Sequence, residues 1–296
     1  MERNFVHRRA FLAALAAGAT TWLGFGGTAW AADADSAFAA RLRALEDGLG
    51  RLGVTIIDSA SGRMFAYRQD ERFMLLSTFK LLAAALVLAR VDRGDEHLTR
   101  VMPYDRSDML PGSPVTAAQL AHGGMTINAL CAAAIATSDN TAGNLILSSF
   151  GGPQALTAFL RQIGDDTTRL DRFEPGLNQA LATQPLFDTT TPRAMAISLQ
   201  QLLTGNALSV TGREQLLLWL AASETGARRL KAGLPPGWRI GDKTGSSDGD
   251  VNEVAIVFPP GRPPLLVAAF LASSASEPAE RKERTLAGIG TLLANL

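Results

Sequence analysis

Ser77-Thr-Phe-Lys80 sets a hydroxyl and an amine three residues apart, where the sequence passes from a loop into a Leu- and Ala-rich run. On a helix, positions i and i+3 share a face, so the two groups can meet. A serine becomes a nucleophile when a base stands beside it, and a lysine can serve if its pKa is depressed. A helix start also aims backbone N–H groups at any anion that forms there. Taken alone, Ser-x-x-Lys reads as a helix-starting serine with an exposed lysine, because it arises by chance roughly once in a chain of this length. Ser138-Asp139-Asn140 is the second group, set inside an alanine-rich segment. Polar residues in so apolar a setting need partners, and on their own they indicate a capped helix break. Lys243-Thr244-Gly245 is the third, directly after the strand-like Trp238-Arg-Ile240. A lysine at a strand edge can hold a carboxylate, and a glycine lets a substrate lie against the backbone. Alone, this third group reads as a loop.

The elements around these groups follow from periodicity. Phe38, Leu42, Leu45 and Leu49 make the apolar stripe of a helix over 36–51. Gly53–Ile57 and Met64–Tyr67 read as two strands joined by a turn, and Thr78–Arg93 as a buried helix ending near Gly94. Helices are expected over 127–149, 153–163, 192–204 and 211–222. Asp165–Thr191 is long and irregular, the kind of connection that is functional or disordered. Strand character returns at 238–240, 254–258 and 265–271, with a proline-rich turn over 259–264, and a final helix fits 277–296. With helix and strands at both ends and helices between, the fold class expected is α/β of the mixed α+β type. The two termini, 32–75 plus 222–296, build a sheet-containing half, and 76–221 forms a helical half, with a ligand cleft between them.

Composition narrows the function classes. The 296 residues are 47% apolar and 19% charged, with 28 basic and 28 acidic side chains, which excludes a disordered polymer and disfavours nucleic acid as a partner. His7, His97 and His122 show no metal-ligand spacing, and neither a metal nor a cofactor is expected. The single Cys131 precludes an intramolecular disulfide and reads as an apolar helix residue. The N-terminus has a basic start, an apolar stretch and small residues at Ala29-Trp30-Ala31, which predicts a secretory signal over 1–31 cut after Ala31. Arg8-Arg9 followed by Phe11-Leu12 resembles the twin-arginine export motif, which makes the export machinery a partner and the bacterial periplasm the expected location. Without residues 1–31 the chain carries 25 basic and 27 acidic residues, and no other segment is apolar and long enough to span a membrane. A monomer is expected.

The three groups in this order and separation resemble the set that marks class A β-lactamases and penicillin-binding proteins. Over essentially the whole chain after residue 31 the sequence looks like a class A serine β-lactamase. Ser113-Pro-Val-Thr116, Asp188-Thr-Thr-Thr-Pro192 and Gly241-Asp-Lys-Thr-Gly245 support this. The resemblance implies an antiparallel sheet flanked by helices and hydrolysis of penicillins and cephalosporins through an acyl-serine. Asp171-Arg-Phe-Glu174-Pro175-Gly-Leu-Asn178 resembles the family's Ω-loop, here about 170–188. Efficient release of an acyl adduct needs a water held and deprotonated beside the ester, and the resemblance assigns that to Glu174 and Asn178. It also implies Ser77 as nucleophile, Lys80 or Glu174 as acylation base, and Ser138 as proton relay. The oxyanion hole is implied to be the N–H groups of Ser77 and Ser246. Asn140, Lys243, Thr244 and Gly245 are implied to bind substrate, with Tyr104 as an aromatic wall at the mouth, Arg229 near the substrate carboxylate and Ser247 at the cavity edge. Arg172 and Asp188 match an ion pair closing the loop. The alternative is a D-alanyl-D-alanine carboxypeptidase or a penicillin-binding sensor.

The sequence also departs from the family. Gly176 stands where glutamate is usual, and the stretch 178–188 is one residue longer than in many relatives. Leu76 and Ser247 occupy the positions of a disulfide found in some carbapenem-hydrolysing members. Weak carbapenem turnover is therefore expected.

Overall fold

A computed structural model describes the backbone of residues 27–296 and the side chains from 36 onward. The export signal read over 1–31 therefore lies almost wholly outside the described residues. Helix α1 (Gly27–Glu46) leads into strands β1 (Gly50–Asp58) and β2 (Met64–Tyr67). The short β3 (Phe73–Met74) then runs into a 3-10 turn, Leu76–Thr78, and helix α2 (Phe79–Asp92). Next come β4 (Val101–Pro103), α3 (Pro114–Gln119), β5 (Gly124–Thr126), α4 (Ile127–Ala136), α5 (Asn140–Ser149) and α6 (Pro153–Gln162). Beyond the irregular stretch lie β6 (Thr189–Thr190), α7 (Pro192–Leu203), α8 (Val210–Ala221) and the single-turn α9 (Leu230–Gly233). The chain ends with β7 (Arg239–Ser246), β8 (Val251–Phe258), β9 (Leu265–Ser273) and α10 (Ala279–Leu293).

Five strands form one antiparallel sheet in the order β2-β1-β9-β8-β7, so the two ends of the sequence meet at the β1–β9 pair. The C-terminal strands read as unbroken apolar runs because both of their faces are covered. Successive side chains of a strand point to opposite faces, and the core divides on that alternation. Val254, Ile256, Leu266, Ala268 and Phe270 pack toward the helical half. Ala255, Val257, Leu265, Val267 and Leu271 pack toward α1 and α10 with Phe38, Leu42, Leu286 and Ile289. Helix α2 is buried from Phe79 to Ala89, which its Leu/Ala composition requires. Truncating a fully buried member such as Leu82 to alanine costs about 2–5 kcal/mol.

Two readings change. The helix expected over 127–149 is two helices, because Ser138 takes a left-handed φ of +61° and Asp139 caps α5, accepting from Ala142 N at 2.9 Å. The strand expected over 238–240 continues to Ser246, so Lys243-Thr244-Gly245 is strand and not loop. The ladder that pairs Thr244 with Glu253 and Gly245 with Asn252 holds it there. Among the described residues no helix is long and apolar enough to cross a membrane.

Candidate active site

Ser77 lies in the 3-10 turn that starts the buried helix α2, and Leu76 before it has a left-handed φ of +49°. One turn on, Lys80 is fully buried. Its Nζ donates to Ser77 Oγ at 2.9 Å, Ser138 O at 2.8 Å and Asn140 Oδ1 at 2.7 Å. A Cβ at Gly143 of α5 would stand 2.8 Å from Lys80 Cε, so the lysine chain fits only because that residue is glycine. Burial lowers the Lys80 pKa from the ordinary lysine value, and the Glu174 carboxylate at 3.3 Å opposes that shift.

The break between α4 and α5 presents Ser138 and Asn140 to that lysine. Asp139, wholly buried, accepts from Val115 N, Thr116 N and Thr116 Oγ1 as well as Ala142 N, which fixes the break to α3. Asn140 Nδ2 donates to Pro111 O at 2.8 Å. From the other side, Lys243 Nζ on edge strand β7 donates to Ser138 Oγ at 3.0 Å, and Lys80 Nζ lies 3.4 Å from the same oxygen. One hydroxyl thus joins two buried amines. Burial, and then repulsion from Lys80, push Lys243 well below the usual lysine range. Gly245 brings β7 against the nucleophile, since a Cβ there would sit 3.3 Å from Ser77 N and 3.0 Å from Leu76 Cβ. Thr244 Oγ1 shares a 2.6 Å hydrogen bond with Thr225 Oγ1.

The irregular stretch closes the third side. Glu174 is buried, and Ser77 Oγ donates to its Oε1 at 3.4 Å while Asn178 Nδ2 donates to its Oε2 at 2.6 Å. Asn178 Oδ1 is buried without a protein partner. At the base of the loop Arg172 Nε donates to Asp188 Oδ2 at 2.6 Å. The fully buried Asp188 carboxylate also accepts from Asp171 N at 2.8 Å and Arg172 N at 3.0 Å. Asp188 N donates in turn to Asp171 Oδ2 at 3.0 Å, so three carboxylate–amide bonds and one ion pair staple the two ends of the loop.

Two side chains differ from expectation. Tyr104 does not line the mouth: it is 4% exposed and its hydroxyl donates to Thr116 O at 2.7 Å, within the helical core. The residue that borders Asn140 is Gly112, where a Cβ would come within 3.0 Å of Asn140 Nδ2. Ser247 commits its hydroxyl to the β7–β8 turn, accepting from Asp250 N at 2.9 Å. Arg229, implied near the substrate carboxylate, is held by backbone carbonyls of the adjoining strands. It is 5% exposed and donates to Gly245 O at 3.1 Å, Asn252 O at 2.8 Å and Ser246 Oγ at 2.6 Å. Arg228, its neighbour, is the exposed one and pairs with Glu283.

Sequence reasoning missed Asn144, whose side chain accepts from Glu174 N at 2.9 Å and donates to Glu174 O at 3.0 Å. A signal existed, since Asn144 stands four residues after Asn140 and so shares its helix face. It also missed Asn252, whose Nδ2 donates to Met74 O at 2.8 Å and whose carbonyl receives Arg229. Nothing local in the sequence marks that long-range bond. Among the described residues no cluster of three His, Cys, Asp or Glu could hold a metal ion.

A family model described as the β-lactamase enzyme family matches residues 37–296. An ancestral (GNCA) class A β-lactamase is 51% identical with a TM-score of 0.84, over 87% of this chain and 99% of that one. The putative class A β-lactamase PenP from Rhodopseudomonas palustris is also 51% identical, with a TM-score of 0.84 over 88% and 99% of the two chains. A β-lactamase from Xanthomonas campestris pv. campestris is 43% identical, with a TM-score of 0.85 over 88% and 98%.

Proposed function

Given that the chain belongs to the β-lactamase enzyme family as a class A member, and is a hydrolase of the β-lactam amide bond, we propose which residues carry the reaction. Ser77 Oγ attacks the strained carbonyl. Two bases reach its proton, Lys80 Nζ at 2.9 Å and Glu174 Oε1 at 3.4 Å. Burial supports Lys80, because its lowered pKa raises the fraction of free amine. The N–H groups of Ser77 and Ser246 receive the oxyanion, preorganised donors placed where negative charge develops. Ser138, hydrogen-bonded to Lys243 and within reach of Lys80, passes a proton to the departing nitrogen. Lys243, Thr244 and Arg229 face the substrate carboxylate, with Gly245 opening the strand, and Asn140 meets the acylamide group.

The observation that carries this reading is the Glu174–Asn178 pair beside Ser77. Asn178 ties one carboxylate oxygen, and its own Oδ1 is a buried acceptor without a protein donor. A water donating to that oxygen and to Glu174 would stand next to an ester on Ser77, ready for deprotonation. A transpeptidase-like or sensor protein has no use for such a pair, so that alternative is not favoured. Mixing purified protein with a chromogenic cephalosporin tests this: many turnovers per molecule are expected, whereas consumption of a single equivalent would refute it.

The sheet half from the two termini and the helical half over 76–221 are proposed as the two walls of the cleft. Export through the twin-arginine route to the periplasm is proposed on Arg8-Arg9 and the Ala29-Trp30-Ala31 cut site. Replacing both arginines with lysine should retain the chain in the cytoplasm, and unchanged export would refute it. A monomer is proposed for the mature chain, and a dimer mass by light scattering would refute that.

A further inference from the structure

Behind the strand that carries Lys243 and Thr244 lies a group of acids that the reaction does not use. Glu253 of β8 stands directly opposite Thr244 in the ladder and is fully buried. Side chains directly opposite in an antiparallel pair have Cβ atoms ~4.5–5.5 Å apart, so the carboxyl lies close beneath the proposed anion pocket. Its Oε2 accepts from Leu230 N at 2.9 Å, while Oε1 is buried with no hydrogen-bond partner. Leu230 follows Arg229, the buried guanidinium that donates to Gly245 O, Asn252 O and Ser246 Oγ. Asp242 lies on β7, buried and accepting from Ser223 Oγ at 2.9 Å. Glu283 of α10 places Oε1 3.9 Å from Arg229 Nε. A buried ionised carboxylate with an orphaned oxygen would be far more costly there than a neutral carboxyl.

We propose that Glu253 is a positioning residue that sets the charge of the carboxylate pocket: in its neutral form it leaves the positive charge of Arg229 and Lys243 free to act on an anionic substrate, and its ionisation cancels part of that charge. The inference rests on the reading that Lys243, Thr244 and Arg229 hold the substrate carboxylate. The groups around Glu253 support a neutral state. Burial and the neighbouring Asp242 hold its carboxyl well above the usual carboxylate range, against the Leu230 N–H and Arg229, and Glu283 adds to the upward push. Asp242 is itself raised by burial, although Ser223, Lys243, Arg229 and Lys231 oppose this. Arg228 lies farther out, paired with Glu283. As the pH rises through the Glu253 pKa, a negative charge forms behind Thr244 and Arg229, and affinity for a carboxylate should fall. Substrates without that charge should be unaffected.

The test is kcat and KM against pH for a penicillin and its carboxyl methyl ester, on wild type and Glu253→Gln. Lys80 and Lys243 also lose charge as the pH rises, but they do so in both proteins, so the difference between the profiles isolates Glu253. The expected result is a KM for the free acid that rises with pH about tenfold less in Glu253→Gln than in wild type. The difference should be carried by KM and not by kcat, and be absent for the ester. Glu253→Met, neutral without the amide, should give the same difference if the glutamine variant fails to accumulate. Superimposable wild-type and variant profiles, or a change confined to kcat, would overturn the proposal. Equal wild-type KM for acid and ester at neutral pH would overturn the carboxylate pocket itself, and the proposal with it.

Discussion

Replacing Arg172 by alanine removes one side of the ion pair at the base of the 170–188 loop. The Asp188 carboxylate left behind is fully buried and keeps two backbone donors, at 2.8 and 3.0 Å, but loses the guanidinium at 2.6 Å. Stranding a buried charge in this way costs about 3–5 kcal/mol when both partners are dry. Arg172 is 22% exposed, so water can enter and about 2–3 kcal/mol is the better figure. In a chain of this size each kcal/mol shifts Tm by roughly 2–4 °C, so a fall of about 4–12 °C is expected if the loop unfolds together with the rest. The kinetic effect should be sharper. Glu174 sits two residues from Arg172, and a misplacement of about 1 Å can reduce a rate about 100-fold. Because Ser77 and Lys80 lie outside the loop, acylation should persist while release slows. The assay is stopped-flow mixing with a chromogenic cephalosporin. Arg172→Ala should give a burst of one equivalent followed by a slow steady state. Asp188→Asn should be milder, since asparagine tolerates the left-handed φ of +55° there and can still accept from the two amides. Wild-type kcat without a burst, and an unchanged Tm, would refute the idea that this pair positions the loop.

Three further outcomes are expected. Gly245→Ala places a methyl 3.0 Å from Leu76 Cβ and 3.3 Å from Ser77 N, so kcat should fall at least tenfold while Tm changes little; an unchanged kcat would mean that the strand yields freely. Cys131 is fully buried and burial pushes its thiol well up, so a thiol reagent should label it only in denaturant, and labelling of native protein would contradict that. Burial raises the Glu46 carboxyl, yet hydrogen bonds from Arg68, Tyr67 and Leu52 N outweigh it and hold the pKa below the ordinary value. That stability is present above the ordinary glutamate pKa and is lost as pH falls through the lower folded value. Glu46→Gln should therefore cost about 2 kcal/mol at neutral pH and progressively less in acid, as read by urea unfolding, and a constant difference would refute the linkage.

Much of the arrangement was legible because single residues dictate it. The leucine–alanine run of α2 calls for a buried helix, and the 3-10 turn that leads into it sets Ser77 three residues before Lys80. The Arg172–Asp188 pair and the burial of Cys131 were legible too. The break at Ser138 was legible only in the Ser-Asp-Asn group itself, which indicates a capped break, while the alanine-rich flanks favour one continuous helix. The break depends on Asp139 reaching Thr116 and Val115, residues more than twenty positions away. Tyr104 was misplaced because an aromatic near the expected mouth is indistinguishable in sequence from a core tyrosine. Only the bond to Thr116 O decides it. The burial of Arg229 was not legible, because its carbonyl partners come from β7 and β8, which no local pattern announces. Local propensity therefore gave the elements, and long-range polar contacts decided the chemistry.

The central claim is that Ser77 is acylated and that Glu174 drives release. Glu174→Ala, mixed with a penicillin and read by intact mass, tests it most directly. A covalent adduct that persists for minutes and maps to Ser77 on digestion is expected, and Ser77→Ala in the same experiment should show none. Rapid release of product with recovery of unmodified Glu174→Ala protein would contradict it.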